Sequence, residues 1–582
     1  MRFFNNLKIW IDKRYNLKIF IFISIIISFS CLIYIPSLQN DITNWDDQDF
    51  FLNSSAVKEF NLDSIFTGPN GGNYYPITIL SMAIDYKLCQ SDPFCFHMTS
   101  VILHISNSLL IFLLVIMFLN SATFLIFKNK AETSSLTMAF IIALIFTIHP
   151  MNVEAIAWIS ARNHPLGVFF QILSLISYIQ FLNSKKLKWF FLTYSFFILG
   201  IFSKSGAIIL PLFFIGLDYL AYKNSQIKKL DLEKFWRKKI IEKSFFIPPV
   251  ILVFWLTALS RKIMEAPIPE IFLMNFYERL AWAFKGIIFY ISHLIFPRSL
   301  SSYYDIRLVT VDYIDWFIAL VFFYFIYRKR NNPLVVLGLI FFIINILPSL
   351  KIIPFGEYSI FNDRYTYFSS IGLFMTFFTG ILINEKKIKW IHELSSVIFV
   401  AILISYSFLA IERVAIWKNS EKLWLDVLKV YPKTSMARNN LGRVYLERNQ
   451  LELANTQFLK ALEDRPGLAL AYYNLGLVAK KRSNIKEALE FYHQAITLKP
   501  NYPEALNNLG SIQSNLTEAA FSYRQAILTG ANFAEVYYNL SLTYYRQKKY
   551  QEALEILNIM HQKWPNENRG ERLQMEILKN IP

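Results

Sequence analysis

The run Asn44-Trp45-Asp46-Asp47-Gln48-Asp49 sets three carboxylates within four residues, just beyond an apolar stretch long enough to cross a membrane. Carboxylates this close repel one another and hold each other's pKa up. That suits a general base, or a cation site shared by Asp46, Asp47 and Asp49. The run also reads as a solvated acidic loop or a helix N-cap. As a loop it is expected to be polar and accessible, so that Asn at position 46 or 47 would barely change folding. Other ionisable groups stand beside apolar runs: His149 and Glu154 in His149-Pro150-Met151-Asn152-Val153-Glu154, then Trp158 and Arg162, the lone Lys204, and Asp363-Arg364-Tyr365. Ionisable groups at membrane depth are functional candidates. Arginine grips a phosphate through two parallel N–H groups and lysine meets it as a point charge. Each of these groups could equally be a cap or half of an ion pair.

These residues need a scaffold, and the composition says which kind. Hydrophobic residues make up 54% of the 582 and charged residues 17%, against about a quarter charged in soluble domains. Of the +17 net charge, the tail from Glu412 carries 23 Lys/Arg against 17 Asp/Glu. The remaining excess flanks apolar runs, which is a topology signal and argues against nucleic-acid binding. Candidate spans lie near 17–36, 99–127, 134–149, 164–183, 189–203, 205–222, 245–260, 276–297, 312–328, 333–353, 363–384 and 389–411. The first follows basic residues without a small-residue cleavage site, which predicts a retained anchor.

Basic residues at 2–18, 128–130, 185–188, 223–243, 328–330 and 386–389 belong in the cytoplasm. The segment 38–98, with eight acids and only Lys58 and Lys87 as bases, belongs outside. Parity then demands that one of 245–260 and 276–297 does not fully cross. About eleven spans result, with the C-terminal region outside and Asp46, Glu154, Lys204 and Arg364 on that same side. Of the three cysteines, Cys89 and Cys95 flank an Asp92-Pro93 turn in the outer loop, where a disulfide is one reading and two unpaired thiols beside the second span the other; Cys31 stands alone.

The tail repeats every 34 residues. Leu441-Gly442, Leu475-Gly476 and Leu509-Gly510 mark three copies and Leu540 a fourth, with Ala454, Ala488, Ala519 and Ala553 in step and Pro466, Pro500 and Pro565 closing full-length copies. This resembles the tetratricopeptide repeat, in which small residues let paired helices approach and neighbouring units must stack. The copies fall near 435–468, 469–502, 503–533 and 534–567, the third three residues short, with a half-repeat at Trp424, Val427 and Pro432. The fold class is therefore all-α: a polytopic domain over 1–411 followed by an α-solenoid over 412–582. Asn440, Asn474, Asn508 and Asn539 recur at one position. Their amides could hold an extended acceptor peptide without reading its sequence, or be repeat consensus alone.

The runs NWDD at 44–47, YYPITILS at 74–81, FHMTSVILH at 96–104, HPMNVEAIAWISARN at 149–163, FSKSG at 202–206 and NDRYTYFSSIGL at 362–373 resemble, in order and over nearly the whole chain, the transmembrane and tetratricopeptide-repeat-containing (TMTC-like) protein O-mannosyltransferases. Tyr75, Asn152 and Ser205 depart from the residues usual in that family. The resemblance implies a GT-C glycosyltransferase fold and inverting transfer of a sugar, mannose in the relatives, from a polyprenyl-phosphate donor to Ser or Thr hydroxyls of proteins on the outer face. It implies Asp46 or Asp47 as base, a divalent cation as an option at Asp46, Asp47 and Asp49, and Arg364, Lys204 and Arg162 as donor-phosphate ligands. His149, Glu154, Asp363 and Tyr365 would shape the site. Two other readings stay open: transfer to a lipid or glycan, and a non-catalytic scaffold whose repeats bind partners. The Lys/Ile/Phe-rich composition and the lack of an ER-retention tail lead to an expected bacterial inner membrane, with the repeats in the periplasm.

Overall fold

The structure, a computed structural model, describes residues 13–48, 52–68, 74–120, 132–224, 232–263, 273–352, 361–382, 389–565 and 567–580. Arg2, Lys8, Asp49, the basic residues at 128–130 and 386–388 and the segment 225–231 lie outside the described residues. Among those described, every regular element is helical, and the chain divides into two compact units, Met1–Asp426 and Val427–Pro582.

In the first unit the main helices are α1 (Lys13–Tyr34), α2 (Pro76–Cys89), α3 (Pro93–Asn120), α4 (Glu132–Ile148), α5 (Val153–Ala157), α6 (Asn163–Ser184), α7 (Leu187–Ser203), α8 (Leu210–Asn224), α9 (Leu232–Ser244) and α10 (Ile247–Ile263). There follow α11 (Phe276–Ile295), α12 (Tyr313–Lys329), α13 (Pro333–Ile346), α14 (Thr366–Leu382), α15 (Lys389–Ile416) and α16 (Ser420–Val430), which runs across the division. Over its described residues, each of the twelve candidate spans overlaps one of these helices.

Among the described residues, seven helical stretches are long and apolar enough to cross a membrane: Tyr15–Gln39, Pro93–Asn120, Ile159–Ser184, Ser205–Tyr222, Phe235–Lys262, Pro333–Leu350 and Val397–Ile416. Ser135–Ile148 and Pro150–Ala157 make an eighth only as a pair bent by 56°. Pro150 supplies no N–H to continue the helix, and the His149 ring accepts from the Met151 amide at 3.3 Å across the break. Helices α7, α12 and α14 are each 17 residues long. Of the pair left open by parity, Phe235–Lys262 meets the length and composition of a span, whereas α11 carries Glu278, Arg279 and Lys285 and does not.

Two glycine contacts set the positions of the polar groups. At Gly338 on α13 an added Cβ would stand 2.6 Å from the Gly372 carbonyl of α14. These two helices pack backbone to backbone, as small residues allow in membranes. Being successive and antiparallel, they bring Lys351, just past α13, and Arg364, just before α14, to one end of the unit. Gly167 on α6 does the same for α7, since a Cβ there would lie 2.9 Å from Cβ of Lys204.

The second unit stacks helix pairs: α17 (Ser435–Glu447) with α18 (Leu451–Asp464), α19 (Ala469–Lys481) with α20 (Ile485–Leu498), α21 (Pro503–Ile512) with α22 (Leu516–Leu528), and α23 (Ala534–Arg546) with α24 (Tyr550–Lys563). A final α25 (Glu571–Asn580) closes the series. A Cβ on Gly442 would meet the Phe458 ring at 2.5 Å, and one on Gly510 the Tyr523 ring at 2.9 Å. The first three pairs thus seat a ring on a glycine, Tyr492 on Gly476 in the second; the fourth has Ser541 at that position. The short third repeat loses its residues chiefly from the end of α21, which has 10 residues where α17, α19 and α23 have 13.

Candidate functional site

The acidic loop is fastened at both ends and in its middle. The Asp41 amide donates to the Lys418 carbonyl at 2.9 Å and the Asn44 amide to Ser420 Oγ at 2.8 Å. The Trp424 indole N–H donates to Asn44 Oδ1 at 2.7 Å. Asp47 does not face solvent, contrary to the expected accessible loop: it is 1% exposed. Its Oδ2 accepts from the amide and hydroxyl of Thr43 at 2.9 and 2.7 Å, and its Oδ1 from the amide and hydroxyl of Ser160 at 3.0 and 2.5 Å. Burial pushes its pKa up, against the pull of these four donors. A carboxylate so enclosed is a clasp between the loop and the turn Ile159–Arg162, and its four contacts leave no lone pair aimed at a substrate hydroxyl. Asp46 is half-buried. Asp49 lies outside the described residues. Among the described residues no three His, Cys, Asp or Glu side chains converge as a metal site.

Between these carboxylates and the basic groups stand four indoles. Trp45 lies nearly parallel to Trp158, with ring centres 4.7 Å apart, and Trp158 to Trp417 at 5.6 Å; Trp424 tilts against Trp45 at 5.3 Å. Trp158, Trp417 and Trp424 are buried, whereas Trp45 is only partly so. Beyond Trp158 comes Arg364, its guanidinium carbon 4.9 Å from that ring. Glu154 on α5 orients it, touching Arg364 Nη1 with Oε1 and accepting the Arg364 amide at 2.9 Å with Oε2.

Tyr365 is the hub of the basic groups. Arg364 Cζ, Lys351 Nζ and Lys204 Nζ stand 5.3, 5.5 and 5.7 Å from its ring centre. The His164 ring lies parallel to it at 6.1 Å and touches Lys204 Nζ, with 2.5 Å to Nδ1. Three cations from three elements thus surround one ring, with Arg364 and Lys351 both buried. Such a group attracts a compact polyanion. Lys351 and His164 were not singled out from sequence. Lys351 follows an apolar run, where a lysine reads as a flank. In the fold it is 3% exposed and holds a left-handed backbone, φ +55°, a strained state that clusters at functional positions.

Other expected members stand elsewhere. Arg162, fully buried, pairs with Asp85 at 2.6 Å and donates to the Phe96 carbonyl at 2.8 Å. It braces α2 against α3 and is not placed to take a donor phosphate. His149 has both ring nitrogens engaged, with Leu294 O at 3.1 Å and the Met151 amide, so it holds the bend after α4. Asp363 is buried and accepts from Tyr304 Oη at 2.6 Å. Cys89 and Cys95 are joined, with Cα atoms 6.2 Å apart.

The asparagine ladder is stitched to itself. Asn474 Nδ2 donates to Asn439 Oδ1 at 2.9 Å, Asn508 Nδ2 to Tyr473 Oη at 3.1 Å, and Asn539 Nδ2 to Asn507 Oδ1 at 3.1 Å. Each reaches the side chain just before the ladder position of the preceding repeat. Asn440, at 7% exposed, has its Oδ1 3.4 Å from Asn439 Nδ2. With Asn440 and Asn474 buried, the row reads as a seam between repeats instead of the expected peptide cradle.

Comparison with known proteins fits both units. Models described as Tetratricopeptide repeat match residues 469–502 and 513–568, and one described as TPR repeat matches 442–482. The chain is 29% identical over 161 residues to Protein O-mannosyl-transferase TMTC1 of Mus musculus and of Homo sapiens, covering 26% of this chain and 16% and 17% of theirs. It is 22% identical over 475 residues to Protein O-mannosyl-transferase F38B6.6 of Caenorhabditis elegans, covering 76% of this chain and 62% of that one. The chain thus spans less than two thirds of the length of these curated relatives. Among solved structures, it is similar to the crystal structure of MamA protein, at 22% identity over 25% of this chain and 80% of that one, with a TM-score of 0.23. It is also similar to YrrB, described as a TPR protein with an unusual peptide-binding site, at 24% identity over 34% and 98%, with a TM-score of 0.23. With helices fit to span a membrane and matches to tetratricopeptide-repeat models, the chain is similar to these TMTC-named relatives and carries tetratricopeptide repeats.

Proposed function

We propose that the chain is a membrane glycosyltransferase that moves a sugar from a polyprenyl-phosphate donor to Ser or Thr hydroxyls of proteins on the outer face of the membrane, with inversion. Mannose is the sugar suggested by the names of the relatives. The observation that carries the reading is the ring of cations, Arg364, Lys351 and Lys204, around Tyr365. When the bond from the sugar's anomeric carbon to phosphate breaks, the electron pair passes to a phosphate oxygen, and fixed cations stabilise the charge that grows there. The attacking hydroxyl is a weak nucleophile at neutral pH, and Asp46 takes its proton as the new carbon–oxygen bond forms. Glu154 holds Arg364, and Asp47 holds the loop that carries Asp46. We place the repeats outside the cytoplasm, at a bacterial inner membrane, where the joined Cys89 and Cys95 are chemically at home.

The test is transfer of labelled mannose from mannosyl-phosphoryl-undecaprenol to protein in membranes bearing the parent chain or its Arg364→Ala, Lys351→Ala and Asp46→Asn variants. Transfer by the parent and loss in all three supports the reading. Equal transfer by parent and variants sinks it.

A further inference from the structure

The indole stack has no part in the steps above, and its position is suggestive. Trp45 adjoins Asp46 in sequence. Its ring stacks on Trp158 at 4.7 Å, and Trp158 in turn lies 4.9 Å from the Arg364 guanidinium. Trp45 and that guanidinium are therefore at most about 10 Å apart, roughly the combined reach of a pyranose and a phosphate. Trp45 is held from several sides: Trp158 and Trp417 lie nearly parallel to it, Trp424 and Tyr303 tilt against it, and Asn44 beside it is bonded to Trp424. Yet it alone of the four indoles keeps part of its surface accessible.

We infer that Trp45 is the platform on which the donor's sugar ring rests, by contact between the axial C–H groups of a pyranose and the indole face. The inference rests on the glycosyltransferase reading. The chemistry favours a sugar over a lipid tail. Asp46 follows the indole in sequence and the Arg364 guanidinium lies within about 10 Å of it across Trp158; both groups bond hydroxyls, which a sugar carries and an isoprene chain lacks. A platform fixed on three buried rings needs no ordering on binding, so little of the contact energy is lost to entropy. It sets the anomeric carbon between Asp46, which takes the proton, and Arg364, which receives the phosphate.

The experiment compares binding of two probes, mannosyl-phosphoryl-undecaprenol and bare undecaprenyl phosphate, to the full chain in nanodiscs. The variants are Trp45→Ala, Trp45→Leu and Trp45→Phe. Loss of one aromatic contact is expected to weaken the mannosyl lipid about tenfold in the Ala and Leu variants, leave bare phosphate binding unchanged, and be restored by Phe. Lys351→Ala should weaken both probes. Equal binding of the mannosyl lipid by Trp45→Leu and parent overturns the platform, as does equal weakening of both probes by Leu, which would mark Trp45 as a packing residue or an interfacial anchor. Unchanged bare-lipid binding shows that a variant is folded. A parent that binds neither probe refutes the donor reading itself, a different result from a parent that binds both and a Leu variant that fails to discriminate.

Discussion

Replacing Asp47 should unfold more than it disarms. The side chain is 1% exposed and accepts four hydrogen bonds, two from backbone amides that have no other acceptor in view. In Asp47→Ala those two amides are left buried and unpaired. Each such group costs roughly 1–3 kcal/mol, so the variant should lose about 2–6 kcal/mol; the hydroxyls of Thr43 and Ser160 can rotate and add less. Asp47→Asn is a finer probe. Its oxygen can serve one donor pair, but its NH₂ must face the other, N–H against N–H, for a loss of about 2–4 kcal/mol. Asp46→Asn, at a half-buried position, should stay within about 0.5 kcal/mol of the parent. The assay is the fraction of purified protein that stays monodisperse in detergent after heating, read alongside sugar transfer. Asp47 variants should lose both together, while Asp46→Asn loses transfer alone. Combining Asp47→Ala with Ser160→Ala should cost less than the sum of the two, because they remove the same contact. An Asp47→Ala protein that melts with the parent would refute the clasp and return Asp47 to the list of bases.

Four further outcomes are expected. Arg364→Lys should keep part of the transfer rate and Arg364→Ala lose about 10²–10³-fold, since a lysine replaces the charge without the fork; equal rates in the two would remove the geometric argument. Arg162→Ala should destabilise by about 3–5 kcal/mol, with much of that recovered when Asp85→Leu accompanies Arg162→Met, and lipid-phosphate binding by the double variant should match the parent. Asn474→Ala with Asn508→Ala should speed proteolysis within 435–530 of the full chain through loss of two bonds worth about 0.5–1.5 kcal/mol each; unchanged cleavage with weakened acceptor peptides would restore the cradle. A periplasm-dependent reporter fused after Pro582 should be active, and Cys89 and Cys95 should resist a thiol reagent until reduced; a reporter active only in the cytoplasm overturns the topology.

The two units were legible in the sequence because each obeys a strong rule: apolar runs of spanning length in one, a 34-residue period in the other. Convergence of Lys204 and Arg364 could be anticipated because both interrupt apolar runs that the distribution of basic residues assigns to one side. The choice between Asp46 and Asp47 could not. The two are identical neighbours, and what separates them is a Ser160 amide 113 residues away. Lys351 was invisible for a related reason: a basic residue at the end of a span is the ordinary mark of a membrane boundary, and only the antiparallel pairing of α13 with α14 turns it inward. Arg162 and the ladder asparagines look functional because they are polar in unusual places. Their partners, Asp85 in one case and the preceding repeat in the other, are found only by folding.

The fastening of the acidic loop bears on how the protein is made. Residues 40 and 44 bond to Val414, Ser420 and Trp424, which follow them by 374 to 380 positions. At about 5–20 residues per second, a ribosome delivers those partners roughly 20 to 75 s after the loop. During that interval the loop has its contact with Ser160 but not those with Val414, Ser420 and Trp424, and Trp45 lacks two of the indoles that hold it. A nascent chain therefore carries the basic groups around Tyr365 before its first loop is fully fastened. Termination anywhere before Trp424 leaves the loop without these contacts, so the residues that follow the last span complete the fastening of the loop that follows the first.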